Sequence, residues 1–181
     1  MDLADRLVNT GYLGRELLTW LWFKSDKQQG LIDPGDGQGA IEVSIVDRVT
    51  LAGLGQGADR VAVKAEDPGS TAEARMALKE GKKVEQAMLR IVRDQREWRA
   101  NVKGDTLGLS GIKIPALLTR EEDDRAQERL VLIDLLDGLI AGLFSTFMVV
   151  RADPELWTAE LAAMRAWVLG FDEPDTGEIP D

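Results

Sequence analysis

Lys82, Lys83, Arg90, Arg93, Arg96, Arg99 and Lys103 put seven cations into a stretch of 22 residues that holds only three acids, Glu85, Asp94 and Glu97. Cations at that density can contact phosphates without reading sequence, releasing the counterions that surround a polyanion. The plainer reading of the same strip is the solvated face of a strand. A formal net charge of -10 favours the plainer reading, because the whole molecule repels nucleic acid.

Carboxylates form the second candidate. Asp134 and Asp137 stand three apart, on one side of a helix, and Glu121, Glu122, Asp123 and Asp124 precede them. A two-metal nuclease needs carboxylates converging from several elements. These are consecutive or share one helix, which reads as a solvated face. The third candidate is Gly53-Leu54-Gly55-Gln56-Gly57. A dinucleotide loop needs a helix opening directly after its glycines, whereas Val61 and Val63 alternate after these, so a turn is the better reading. The fourth is aromatic: Trp20, Trp22, Trp98, Trp157 and Trp167 could stack on bases, but all five fit core faces.

Two absences narrow the chemistry further. The 181 residues include no cysteine and no histidine. That removes disulfides, a thiolate nucleophile, Cys-ligated zinc or iron–sulfur clusters, the Ser-His-Asp triad and imidazole ligands. A metal would need oxygen ligands, and a general acid or base would have to be Asp, Glu, Lys or Tyr12, the one tyrosine. No catalytic set, cofactor or metal site is expected from what remains.

The length fits a single domain over residues 1–170 with an acidic tail, Phe171 to Asp181, that reads as mobile. Met1 to Thr10 carries Asp2, Asp5 and Arg6 and lacks a signal-peptide layout. The longest apolar stretch, Leu130 to Val150, contains Asp134 and Asp137 and reads as a buried helix rather than a membrane span. A cytoplasmic protein without a membrane partner is the expectation. Its charge is uneven: residues 105–181 hold 16 of the 32 acids and 6 of the 22 bases.

The elements that must position these groups follow from periodicity. Leu13, Leu17, Trp20, Leu21 and Lys24 share one helical face, predicting a helix from Tyr12 to about Asp26. Gly30 to Gly39 reads as a surface loop. Ala40 to Ala65 reads as strands, through Ile41, Val43, Ile45, Val49 and Leu51, a bend at Asp47-Arg48, then Val61 and Val63. Ser70 to Glu80 reads as a short helix capped by Ser70 and Glu73 and closed by Gly81. Trp98, Ala100 and Val102 alternate with Arg99, Asn101 and Lys103 as a strand. Val84 to Val92 fits strand and helix spacing alike, with a hairpin turning near Asp94-Gln95 the better fit.

Thr106 to Pro115 reads as a connector. A long helix then runs from about Glu121 to Val150 on a face of Leu132, Leu136, Leu139, Ile140, Leu143 and Phe147, its acidic first turn complementing the helix dipole. A second begins at Asp153-Pro154, with Trp157, Leu161, Met164 and Val168 as its stripe, and ends at Gly170. The fold class is α+β: an antiparallel sheet of about four to five strands with the N-terminal helix and two C-terminal helices packed on it.

In their order, several of these segments resemble the recombination-associated protein RdgC family. The opening helix, GYLGRELLTWLWFKS over residues 11–25, is similar to the helix that starts the family's C-terminal half. The Gly81-Lys82-Lys83-Val84 step resembles one that leads there into a strand, a turn and a second strand. A loop like Leu107 to Pro115, an acidic linker and a long helix like Arg129 to Phe147 follow. RdgC proteins also have an N-terminal half with no counterpart in these 181 residues, whereas the Asp153 to Gly170 helix extends beyond the likeness.

The resemblance implies an α+β fold with a real second hairpin and no enzymatic activity. It further implies a ring-shaped homodimer or a partner protein, and sequence-independent binding of double-stranded DNA that restrains RecA-driven strand exchange at the nucleoid. Phosphate contact would then fall to the seven cations named first. The acidity opposes this unless the strip is segregated from the acidic third. The alternative is an acidic interaction module that docks a basic partner or mimics the charge of DNA.

Overall fold

The structure, a computed structural model, describes residues 3–53 and 59–170, with side chains from residue 13 onward. The chain order is α1 (Leu3–Lys27), β1 (Leu31–Ile32), β2 (Ile41–Ala52), β3 (Arg60–Lys64), α2 (Ala72–Lys79), β4 (Lys83–Arg93), β5 (Arg96–Lys103), β6 (Leu109–Lys113), α3 (Glu122–Ala152) and α4 (Pro154–Leu169). The six strands form one antiparallel sheet in the order β1-β2-β4-β5-β6, with β3 sharing the outer edge of β2 with β1. This is the expected α+β architecture with one or two more strands.

One face of the sheet is apolar because alternate residues of three paired strands agree. Val43, Ile91 and Trp98 lie in one cross-strand row, and Ile45, Leu89 and Ala100 in the next, all buried. The helices gather on this face. α1 buries Leu17, Leu18, Trp20 and Leu21 there. Thr19 ties the helix to the sheet: its hydroxyl donates to the Arg15 carbonyl (2.8 Å) and accepts the Val84 amide (3.1 Å). Arg15 clamps the same end, donating to Asp105 (2.8 Å), Glu85 (3.1 Å) and the Gly53 carbonyl (3.4 Å).

α3 contributes the six side chains that its spacing predicts, Leu132, Leu136, Leu139, Ile140, Leu143 and Phe147, all buried. Trp98 Nε1 donates to the Leu132 carbonyl at 3.0 Å, fixing α3 over β5. By length and composition alone α3 could cross a membrane. α4 is capped by Asp153, whose carboxylate accepts the amides of Glu155 (2.9 Å) and Leu156 (3.0 Å). It docks on α1 through Trp167, which packs edge-on against Trp22 (5.8 Å between ring centres) and donates to Asp26 (2.6 Å).

Several boundaries differ from the sequence reading. α1 begins nine residues earlier, at Leu3. The loop after it contains β1, where Ile32 is buried opposite Ile41. The connector contains β6, whose alternation is hidden by Gly108 and Gly111. Gly111 sits at φ 60 in the left-handed region, and the register to β5 shifts between Arg99 and Asn101. The cap of α2 is Thr71 rather than Ser70, because the Ser70 hydroxyl is spent on the Asp67 carbonyl in a preceding 3-10 turn. The predicted stripe of α4 is its half-buried side, with Trp157, Met164 and Val168 packed against the core, and Trp167, outside that stripe, is its most buried residue. Gly81 closes α2 as expected, with its amide and that of Lys82 bonded back to Leu78 and Ala77.

Gly14 and Gly104 set how close α1 comes to the β5–β6 turn. A Cβ on Gly14 would lie 1.8 Å from the Gly104 carbonyl oxygen. Replacing an interior helical glycine with alanine normally stabilises by about 1 kcal/mol. Gly14→Ala is expected to reverse that sign and cost about 1–3 kcal/mol through overpacking. Urea unfolding measures it, and a neutral or stabilising result would show that helix and turn are not in contact.

Candidate nucleic-acid interface

The basic strip is a hairpin. Asp94 (φ 51) and Gln95 (φ 62) take the left-handed conformation twice in succession, as a two-residue hairpin turn requires, and Arg93 pairs with Arg96 across it. Arg90 therefore falls directly opposite Arg99, and Arg99 opposite Lys113 of β6. Strand alternation then divides the strip. Arg90, Arg99 and Lys103 project from the face away from the helices, while Arg93 and Arg96 share parity with Ile91 and Trp98 on the helix-covered face.

On the open face the two arginines belong to an alternating chain of charge. Arg90 donates to Glu42 (2.6 Å) and to Glu97 (2.8 Å). Arg99 donates to the other Glu97 oxygen (2.9 Å) and pairs with Asp47 at 3.6 Å. The order is Glu42, Arg90, Glu97, Arg99, Asp47, so three acids bracket two bases. Hydrogen bonding by Arg99, then Arg90, holds the Glu97 carboxyl below its usual range, and Glu42 foremost raises Arg90 above its own.

The remaining cations are also engaged. Lys82 pairs with Glu80 and, at 3.7 Å, with Asp59. Lys83 reaches Glu16 at 3.5 Å, and that carboxylate, only 5% exposed, also accepts Arg151 at 2.9 Å. Arg93 is 8% exposed. It grips Asp36 with both terminal nitrogens (2.8 and 2.5 Å) and the Gly39 carbonyl at 2.8 Å. Five of the seven thus have a carboxylate within ion-pair distance. Arg96 and Lys103, both exposed, have none among the described residues. The fold does not bring the seven together as one phosphate-facing surface.

The partners were missed because they lie far along the chain. Glu16, Asp36, Glu42 and Asp47 come from α1, the loop after β1 and β2, so counting acids inside the strip could not find them. One signal was present. Glu42 alternates with Ile41 and Val43, which puts a carboxylate on the outward face of β2, beside any hairpin paired to it. Asp47 reaches Arg99 from a bulge, where its φ of 59 breaks the β2–β4 register between Ile45 and Val49.

The other candidates separate as well. Asp134 and Asp137 are exposed on α3, and no cluster of acids suited to a metal is found among the described residues. Gly53 follows the end of β2 and β3 begins at Arg60, a strand-to-strand connection, while Leu54 to Ala58 lie outside the described residues. Trp20, Trp22, Trp98 and Trp167 are buried, and Trp157 is half-buried beneath the Arg151 guanidinium. A cleft of about 300 Å³ beside Trp22 is lined by Asp26, Glu66 and Asp67 without a cation, a poor setting for phosphate.

No family model, curated protein or solved structure matches the chain.

The Arg93–Asp36 pair makes a pH prediction. Hydrogen bonding by Arg93, and after it by the Gln38 amide, lowers the Asp36 carboxyl from 3.8 to about 2. A depressed carboxylate stabilises the fold above its unfolded pKa, and that stability is lost as pH falls through the folded value. Loop 33–39 is therefore expected to stay attached to β4 at pH 4 and to detach towards pH 2. Carboxyl NMR titration should move Asp36 up towards the ordinary aspartate range in Arg93→Leu, with the Gln38 amide retaining the smaller part of the depression. An unchanged value in that variant would remove the pair as the cause.

Proposed function

We propose that this chain is a non-enzymatic, RdgC-like interaction module that docks a basic partner through its acidic C-terminal third. One contrast carries the reading. The cations of the sheet are mostly matched to carboxylates, whereas Glu122, Asp123, Asp124, Asp134 and Asp137 of α3 make no ion pair among the described residues. Arg125 and Arg129 of the same helix are likewise exposed and without an ion pair among the described residues, so the charge α3 leaves free is negative in balance, five acids against two bases. Uncompensated surface charge of one sign steers association and selects partners of the other.

The RdgC-like element rests on order: the opening helix, the glycine–lysine step into a hairpin, and the acidic entry to a long helix occur in that sequence. On this reading the setting is the nucleoid, where an acidic surface competes with DNA for a basic protein. A second reading keeps direct contact with duplex DNA. It is favoured only by Lys103 and Lys113 on the hairpin side of the sheet, with Arg96 near the turn.

Gel-shift titration separates the two. The chain is expected to leave duplex DNA unshifted at about 50 mM salt. It should bind an unstructured lysine-rich peptide with an affinity that falls as salt rises. A duplex shift that Arg99→Glu plus Lys103→Glu abolishes would overturn the proposal in favour of DNA.

A further inference from the structure

The N-terminal third of α3 stands clear of the core. From Glu122 to Val131 no residue is buried, and the first core contact is Leu132. Those ten residues project roughly 15 Å at 1.5 Å per residue. The side of α3 that faces away from the protein does not become polar where the core begins. Val131 is 52% exposed and Leu135 41% exposed. With Gly138 they follow i, i+4, i+7 spacing and form one stripe. A Cβ built on Gly138 would meet nothing within 4 Å, so the stripe has a dip at that point.

Beside this stripe stand Asp134 and Asp137, exposed and without an ion pair among the described residues, with Leu130, 69% exposed, one turn before Asp134. The nearby arginines do not neutralise them. Arg125 and Arg129 stand seven residues before Leu132 and Leu136, so helical spacing puts them on the opposite side. An apolar strip with a dip, flanked by unpaired carboxylates, is complementary to a helix that is apolar on one face and cationic on the next.

We infer that this outer face of α3 is the docking site for a cationic amphipathic helix of a partner protein. The inference rests on the proposed function and specifies the partner's form. The partner's apolar side chains pack on Val131 and Leu135 and fill the dip at Gly138. Its lysines or arginines, three or four residues apart, meet Asp134 and Asp137.

The test uses the full chain and two labelled synthetic peptides of identical lysine and leucine content. One has helical amphipathic spacing and the other is scrambled. Fluorescence anisotropy is expected to show at least tenfold tighter binding of the helical peptide. That preference should be lost in Val131→Asp, and affinity should fall at least tenfold in Asp134→Lys plus Asp137→Lys. Circular dichroism confirms that both variants fold.

Equal binding of the two peptides, sensitive only to the aspartate changes, overturns the helix docking and leaves the proposed function standing. Binding of neither peptide overturns both. Two further results assign the face to another occupant and equally overturn the inference. One is sedimentation showing self-association that Val131→Asp abolishes. The other is uptake onto zwitterionic lipid vesicles that the same variant abolishes.

Discussion

A sheet that packs all its helices on one side must make its other side tolerable to water, and that constraint organises this protein. Val43, Ile91 and Trp98 face inward. The same three strands must therefore present Glu42, Arg90, Glu97 and Arg99 outward. Opposite charges placed across a ladder attract, whereas like charges repel. Arg90 and Arg99 are like charges in direct register, and the arrangement is relieved because Glu97 donates no proton and accepts from both. Each such exposed pair adds little by itself, but the chain of five fixes the side chains of β2, β4 and β5 relative to one another.

The same logic explains why the cations contribute little outward field. A guanidinium held between two carboxylates keeps its own charge, but at the distance of an approaching polyanion the group averages to neutral or negative. Arg93 goes further, being withdrawn almost wholly from solvent to anchor the loop around Asp36. The acids of α3 have the opposite history. The helix is held by its Leu132 to Phe147 side, and nothing among the described residues answers the carboxylates on its far side.

Much of this was legible in the sequence wherever a local pattern carried the information. Alternation around Trp98 and the polar Asp94-Gln95 pair gave the hairpin, and with it the Arg90–Arg99 pairing. The core residues of α3 and the Asp153-Pro154 start of α4 were equally readable, because 3.6-residue spacing and capping chemistry are local. β1 and β6 were not. β1 is two residues long and β6 is interrupted by Gly111, and each exists through pairing with a strand whose position only the fold decides. The ion-pair partners failed for the same reason. Lys83 meets Glu16 and Arg90 meets Glu42 across tens of residues, and no spacing rule connects them.

β6 has a consequence for assembly. It ends one side of the sheet, with no described strand beyond it, and a free edge presents amides and carbonyls on which another chain could grow. Here the edge is bent at Gly111, broken in register and carries Lys113 near its end. Such an edge is a poor template for the addition of another strand, so growth of the β-layer is discouraged on this side, opposite the border formed by β1 and β3.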